Sequence, residues 1–352
     1  MEMRVHYVPI LRILSFLIIE FQKIDCLVIN PLRLISRSRS LSIRDHPLSL
    51  KSTPTSTRVT TDTIDLPRLV IIIPAYNEEY RIRPTLECYQ NFLLNSSNDI
   101  SSIFREFEIV IIDDGSTDAT CEVIQSFSAK IKIHYVQIEK NKGKGAALAR
   151  GIQYLVEGTS CSCDDDNTST LILTQDADGS GNLIYLNDML NKLRNLLLIP
   201  CDDYDEDSYN SDNSMCIVDW SIPGMVIGNR NYNIFSSRGI TRWGFQTCVR
   251  VLTANNLRIQ DSQCGYKLMT LNASKKLYKN LNLQGWSHDV EILYRAQMLN
   301  IPIDEMSIEW KDMDGSKIAE SGIVKVSLQM LWDVIRLRWN YSIIQCWKLD
   351  SS

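Results

Sequence analysis

From residue 66 onward, short apolar runs end abruptly on polar residues, and the spacing between the runs suits helices. Residues 69–73 (LVIII) are apolar at every position, as expected of a parallel strand buried on both faces, and Pro74 breaks the run. Residues 83–94 fit a helix with Pro84 tolerated in its first turn. A second strand, 107–112 (FEIVII), runs out on Asp113-Asp114-Gly115-Ser116, and Thr117-Asp118 supplies an N-cap signal for the next helix. Residues 131–138 read as a third strand. Lys142-Gly143-Lys144-Gly145 then opens a helix reaching about Tyr154, and 171–174 is a fourth strand. This alternation predicts an α/β fold with a mainly parallel sheet and helices on both faces. Ligands of such sheets bind outside the carboxyl ends of the strands. The polar clusters at 75–79, 113–116 and 176–179 therefore share one rim.

The chain divides into four parts. Residues 1–35 are a hydrophobic segment in which 13–19 (ILSFLII) is apolar but for Ser15, with Arg12, Glu20, Lys23 and Asp25 interrupting. That falls short of the roughly 20 apolar residues of a spanning helix. A degenerate membrane anchor and an interfacial helix are the leading readings, and a cleaved signal peptide ranks last for want of a small-residue cleavage site. Residues 36–65 form a basic, Ser/Thr-rich linker. Arg33, Arg37, Arg39 and Arg44 favour a cytosolic position for the domain C-terminal to them. Residues 66–320 are the main domain, with polar insertions at 158–169 and 200–220 read as disordered surface segments. Asp202, Asp203, Asp205 and Asp207 are dense, yet the glycine and terminal glutamate of an EF-hand loop are missing. Residues 321–352 carry Val324, Leu328, Leu331, Trp332, Ile335 and Trp339 near helical spacing, with Arg336 and Arg338 among them. This C-terminal amphipathic helix either packs on the domain or lies at a membrane interface, and both readings stand.

Composition narrows the class. A net charge of −5 over 352 residues gives no nucleic-acid footprint, so no nucleic-acid partner is expected. Ten scattered cysteines without a Cys-x-x-Cys pair exclude zinc-site spacing and suit a reduced compartment.

The chemistry concentrates at Asp176-Ala177-Asp178-Gly179. Two carboxylates two residues apart at the end of a buried strand are costly to desolvate and are usually kept where a divalent cation offsets their repulsion. Oxygen ligands suit Mg²⁺ or Mn²⁺, and these metals usually bring a phosphate. Four motifs in order carry a family resemblance: Pro74-Ala75-Tyr76-Asn77-Glu78-Glu79, Asp113-Asp114-Gly115-Ser116-Thr117-Asp118, Asn141-Lys142-Gly143-Lys144-Gly145, and Asp176-Ala177-Asp178-Gly179. Together they resemble the inverting family 2 glycosyltransferases, which have the GT-A (nucleotide-diphospho-sugar transferase) fold. Three later stretches narrow the match: Asp261-Ser262-Gln263-Cys264-Gly265-Tyr266-Lys267, Trp286-x-x-Asp289-Val290-Glu291, and Trp310 followed by Asp314-Gly315-Ser316-Lys317. These resemble the dolichyl-phosphate β-glucosyltransferases.

The resemblance implies a division of labour. Pro74, Tyr76, Glu78, Asp114, Lys144 and Asp176 would hold the nucleotide sugar, with Lys142 and Lys144 as a phosphate cradle. Asp178, with Asp176, would hold Mg²⁺ or Mn²⁺. Arg230, Arg238 and Arg242 would bind the acceptor phosphate, although Gly228-Asn229-Arg230 departs from the expected Gly-Ser-Arg. Asp289, Asp178, Arg230 and Lys317 form the implied catalytic set, Lys317 closing over the diphosphate. Asp289 and Glu291 would lie on the helix facing the acceptor. A phosphate monoester nucleophile has a second pKa near 6 and needs little help from a base, so Asp289 is expected to position rather than deprotonate. His288 stands where an apolar residue is expected.

The implied reaction is attack by dolichyl phosphate on UDP-glucose with inversion, giving dolichyl β-D-glucosyl phosphate and UDP, a glucose donor for N-linked glycan assembly. The implied place is the endoplasmic reticulum membrane, with the catalytic domain facing the cytosol and the acceptor patterns Asn95-Ser96-Ser97 and Asn272-Ala273-Ser274 unused. The alternatives are a dolichyl-phosphate mannosyltransferase using GDP-mannose and a non-catalytic protein that binds a sugar nucleotide. Nothing in the composition tells glucose from mannose.

Overall fold

The computed structural model describes residues 66–95, 100–159, 169–200, 216–230, 249, 259–310 and 323–341. Segment 1–35, linker 36–65, the greater part of both insertions, and Arg238, Arg242 and Lys317 lie outside the described residues.

The elements in chain order are β1 (Arg68–Ala75), α1 (Ile82–Leu94), β2 (Glu106–Asp113), α2 (Thr120–Gln125), β3 (Lys132–Gln137), α3 (Lys144–Thr159) and β4 (Thr170–Thr174). Next come α4 (Leu186–Leu196), β5 (Leu198–Pro200), β6 (Cys216–Val218), β7 (Met225–Arg230), β8 (Lys267–Thr270), α5 (Leu271–Tyr278), α6 (His288–Met298), β9 (Ile303–Ile308) and α7 (Ile323–Trp339). Seven strands form one sheet in the order β3-β2-β1-β4-β8-β7-β9. Strand β8 is antiparallel to both β4 and β7, and every other pairing in this sheet is parallel. Helix α3 packs on β1 and β2, and α4 packs on β7, β8 and β9.

Burial follows position in the sheet. Residues 69–73 of β1, 109–113 of β2 and all of β4 are buried, because these strands have a neighbour on each side and are covered by packed structure. The edge strand β3 is at best half-buried along its length. Close packing of α3 on the sheet depends on Gly151. A methyl there would sit 2.8 Å from Ile72 Cγ2.

Several boundaries differ from the sequence reading, each for a local reason. Pro74 does not end β1, because it pairs opposite Ile112. Gln175 N donates to Ile72 O, which places the next same-side position, that of Pro74, beyond the β4 ladder where no donor is required. Helix α2 starts at Thr120 rather than at Thr117-Asp118. Asp118 is spent on a tighter turn, its Oδ1 accepting from Thr120 N at 3.1 Å. Helix α3 continues to Thr159, past Tyr154 and into the start of the 158–169 insertion. The 200–220 insertion is ordered at its end: β6 pairs antiparallel with β5, from Leu198↔Val218 to Pro200↔Cys216, and Trp220 is buried.

The reversed direction of β8 matters most for the site. Parallel strands β1, β2, β4 and β7 deliver their carboxyl ends to one rim. An antiparallel strand delivers its amino end there, so Lys267 lies opposite Thr174, just before Asp176.

Candidate active site

The first two strand-end loops are laced together. Asn77, held at φ 52°, donates its N–H to Ser116 Oγ at 2.9 Å and accepts at Oδ1 from Thr117 N at 2.8 Å. Glu78 N donates to Thr120 Oγ1 at 2.6 Å, and Glu79 Oε2 accepts from Ala119 N at 3.0 Å. The Glu78 carboxylate, expected to hold base and ribose, pairs with Arg81, taking Nε at 2.6 Å and a second guanidinium nitrogen at 2.7 Å. Pro74 and Tyr76 are half-buried at the start of the same loop.

The two aspartates ending β2 both serve the loops. Asp113 accepts from Ser116 N at 2.9 Å and from Tyr135 OH at 2.7 Å. Asp114, expected at the base or ribose, accepts from Lys142 N at 2.9 Å and Gly143 N at 2.7 Å. It therefore ties the third strand-end loop to the second. Its pKa is raised by burial, against the opposing pull of those two N–H groups. Gly143 (φ 102°) can hold no side chain, since a methyl would fall 2.6 Å from Gln284 O.

That turn aims Lys144 at Asp176, and the two side chains form an ion pair. The pair lies over Gly265, where a methyl would fall 2.8 and 2.9 Å from the Asp176 oxygens and 3.0 Å from Lys144 Nζ. The Lys144 ammonium is also 5.7 Å from the centre of the half-exposed Trp286 ring. Asp178 is half-buried and accepts at Oδ1 from Ser180 N at 3.0 Å, which fixes the turn around Gly179 (φ 73°).

Asp289 sits at the start of α6, buried. Lys267 Nζ is 2.5 Å from its Oδ1 and also donates to the Cys264 carbonyl. His288 Nδ1 donates to Gly285 O at 2.8 Å. Its Nε2 is 3.1 Å from Asp289 Oδ1, inside ion-pair range but not aligned as a hydrogen bond. Burial would raise the Asp289 pKa, but His288 and Lys267, with Lys144 beyond, outweigh it and hold the carboxylate well below its ordinary range. Glu291, two residues on, faces away from this work. It accepts from Leu283 N at 2.7 Å, Asn282 N at 3.0 Å, Arg295 at 2.8 Å and Tyr341 OH at 2.7 Å. It is a structural hub for α6.

Arg230 ends β7 with its fork on buried Asp261, at 2.6 and 2.9 Å, and its guanidinium carbon 5.3 Å from the centre of the Trp310 ring. The structure thus brings Lys144, Asp176, Asp178, Asp289 and Arg230 to one rim. Charges on Asp176, Asp178 and Asp289 all act on Lys144, and that of Asp176 also acts on Arg230. Sequence reading gave Lys267 and Asp261 no role. The available signal was a lysine at the head of an otherwise apolar strand, since a buried ammonium requires a partner.

Among the described residues no group of three or more His, Cys, Asp or Glu is placed to hold a metal. Asp176 and Asp178 fit a lesser demand. Mg²⁺ commonly takes one or two carboxylates and completes its shell with water and substrate phosphates.

A family model described as "Glycosyl transferase family 2" matches residues 70–211. The Dictyostelium discoideum dolichyl-phosphate beta-glucosyltransferase is 33% identical over 302 residues, covering 82% of this chain and 79% of its own. The chain belongs to the dolichyl-phosphate β-glucosyltransferase family. Members from Homo sapiens and Saccharomyces cerevisiae are each 28% identical, covering 81% and 78% of this chain and 79% and 75% of their own. The mixed sheet and its loaded rim are the GT-A fold of this glycosyltransferase family. Among solved structures, a glucosyl-3-phosphoglycerate synthase from Mycobacterium tuberculosis in complex with Mn²⁺, UDP and glucosyl-3-phosphoglycerate is 14% identical with a TM-score of 0.47, covering 78% of this chain and 79% of that one. That is a remote likeness in shape.

Proposed function

We propose that this chain transfers glucose from UDP-glucose to dolichyl phosphate with inversion, releasing UDP. The observation that carries this is the rim itself: Asp176 and Asp178 at the end of β4, with Lys144, Lys267 and Arg230 around them, in a member of the dolichyl-phosphate β-glucosyltransferase family. In the step, a phosphate oxygen of the acceptor forms a bond to glucose C1 while the bond from C1 to the UDP oxygen breaks. The acceptor phosphate is largely ionised at pH 7, so no proton need be removed. Asp289, held charged by Lys267 and His288, serves as a fixed electrostatic wall that orients the acceptor side of the site.

Asp176 and Asp178 would hold Mg²⁺ or Mn²⁺, which when bound supplies Lewis-acid stabilisation of the departing diphosphate. The hard, oxygen-only donor pair supports that choice of metals. Arg230, with Arg238 and Arg242 outside the described residues, is proposed for the acceptor phosphate, and Lys317 for the diphosphate. Arg230 would reach the phosphate while still anchored on Asp261. The mannosyl alternative has no observation in its favour, since the relatives above are named for glucose.

The acceptor's lipid tail places the reaction at a membrane. No described helix is long and apolar enough to cross one. Helix α7 suits a membrane interface instead. Its inner stripe, Met330, Val334 and Leu337, is buried, as is Tyr341 just beyond it, while Trp332 and Trp339 are 65% and 50% exposed with exposed Arg336 between them. Tryptophan and arginine on one helix face match headgroup level and lipid phosphate. Asp333 accepts from Ser287 Oγ at 2.8 Å and so ties this helix to the residue before His288-Asp289. The basic tract at 33–44 favours the cytosolic face of the endoplasmic reticulum.

The test is transfer of radiolabel to a short-chain dolichyl phosphate, with UDP-glucose and GDP-mannose compared in parallel, each with Mg²⁺, Mn²⁺ or EDTA. Metal-dependent transfer from UDP-glucose alone is expected. Transfer from GDP-mannose alone would replace the proposed donor, and transfer insensitive to EDTA would remove the metal.

A further inference from the structure

Lys144 stands on a tightly fixed stretch of backbone at the rim. Its backbone is fixed from two sides: Asp114 holds the two preceding N–H groups, and Ala146 N donates to Gln284 O at 3.2 Å. Gly145 is packed so closely that a methyl there would fall 2.5 Å from His288 Cβ. Only the side chain is free to move. Its ammonium rests on Asp176, over the bare backbone of Gly265 and near the Trp286 ring, with Asp178 and Asp289 adding attraction. This is a cage built for positive charge, and one of its walls is the carboxylate proposed above for the metal.

We propose that the Lys144 ammonium is a resident counter-ion at Asp176, which yields that position to the divalent cation when the nucleotide diphosphate arrives and then pairs with the diphosphate. The inference rests on the metal reading given above. Its logic is charge balance. A metal arriving alone must displace the lysine from Asp176 with no phosphate to receive it, so two cations compete for one carboxylate. A metal arriving with a diphosphate brings the anion that receives the lysine. Metal and nucleotide then bind cooperatively, and by linkage each strengthens the other by the same factor. Removing the lysine should strengthen binding of the metal alone while weakening its coupling to nucleotide. A lysine that only binds phosphate would not do the first.

The test measures Mn²⁺ binding by electron paramagnetic resonance, with and without UDP, on the full chain and its Lys144→Met variant. Lys144→Gln repeats the measurement should the methionine variant fail to fold. The exposed neighbour Lys140, substituted Lys140→Met, controls for loss of a nearby positive charge. The expected result is Mn²⁺ alone bound about tenfold more tightly by Lys144→Met than by the parent, with the UDP-induced gain in Mn²⁺ affinity reduced by about the same factor. Lys140→Met should leave the affinity for Mn²⁺ alone within about twofold. Two results would overturn the exchange while sparing the metal site: unchanged affinity for Mn²⁺ alone in Lys144→Met, or an equal rise in Lys140→Met. Failure of the parent chain to bind Mn²⁺ even with UDP would overturn the metal reading and the exchange together.

Discussion

Replacing Lys267 with methionine should be among the most damaging single changes in the domain. Methionine keeps the unbranched stem and removes the charge. Lys267 Nζ is 2.5 Å from Asp289 Oδ1 in a pair whose members are 1% and 6% exposed, so water cannot take the ammonium's place. Removing one partner of a buried ion pair costs about 3–5 kcal/mol, because the other charge stays behind uncompensated. A domain has about 5–15 kcal/mol of stability in total. Each kcal/mol lowers the melting temperature by about 2–4 °C in domains of about 150–250 residues, so a fall on the order of 10 °C is expected. Adding Asp289→Asn to Lys267→Met removes the stranded carboxylate and should recover most of that loss, since replacing a whole buried pair is often close to neutral. The assay is thermal unfolding by circular dichroism of the parent, both single variants and the double variant at pH 7, at low and high salt. Salt should change little, because a buried pair is poorly screened. The reasoning is refuted if Lys267→Met melts within about 2 °C of the parent, or if the double variant is no more stable than the lysine single.

Four further outcomes are expected. Asp289→Asn should reduce turnover less than about tenfold and leave the acid limb of the pH–rate profile near the acceptor phosphate's pKa of about 6; a loss of about 10²–10⁴ would make Asp289 a general base. Tyr341→Phe deletes a hydroxyl that donates to Glu291 at 2.7 Å and accepts from Arg295 at 2.5 Å, and should cost about 1.5–3 kcal/mol in urea unfolding. Gly265→Ala places a methyl 2.8 Å from an Asp176 oxygen, and should weaken UDP and Mn²⁺ binding by up to about 10²-fold in calorimetry while barely moving the melting temperature. Asp289 and Glu108 both titrate lower in the folded chain, despite burial: His288 and Lys267 act on the first, and Lys132, Arg68 and His134 on the second. Their contribution to stability should therefore be complete above the unfolded values near about pH 4 and be lost as the pH falls through the folded values, which urea midpoints from pH 7 to pH 3 would show.

What sequence could reach was set by how local the cause is. Strands β1, β2 and β4 announce themselves because burial on both faces makes their centres apolar at every position, and their ends are marked by the acids that come after them. The extension of β1 through Pro74 was hidden, because it depends on where β4 stops pairing. The ordered β5–β6 ribbon was hidden for a similar reason, since Ile217 and Val218 are framed by polar residues and acquire a partner only in the folded chain. Among site residues, the Asp176-x-Asp178 spacing stood out because two carboxylates close a buried strand. The partners of Asp114 and Arg230 did not stand out, because the Lys142-Gly143 backbone and Asp261 claim those side chains only once segments distant in sequence meet, whereas Glu78 is taken by Arg81 three residues on. A charged residue in a motif reports that charge is needed there, without reporting whether the fold or the ligand needs it.

The β5–β6 ribbon has one more consequence. Pro200 and Cys216 are paired neighbours, so the two ends of the acidic stretch between them are held side by side. The entropy of closing a loop grows only as the logarithm of its length, and doubling that stretch would cost about 0.6 kcal/mol. The segment can therefore lengthen, shrink or change composition with little effect on the sheet beneath it. That makes residues 201–215 the natural place to graft a purification tag or a fluorescent reporter while leaving the rim on β4 undisturbed.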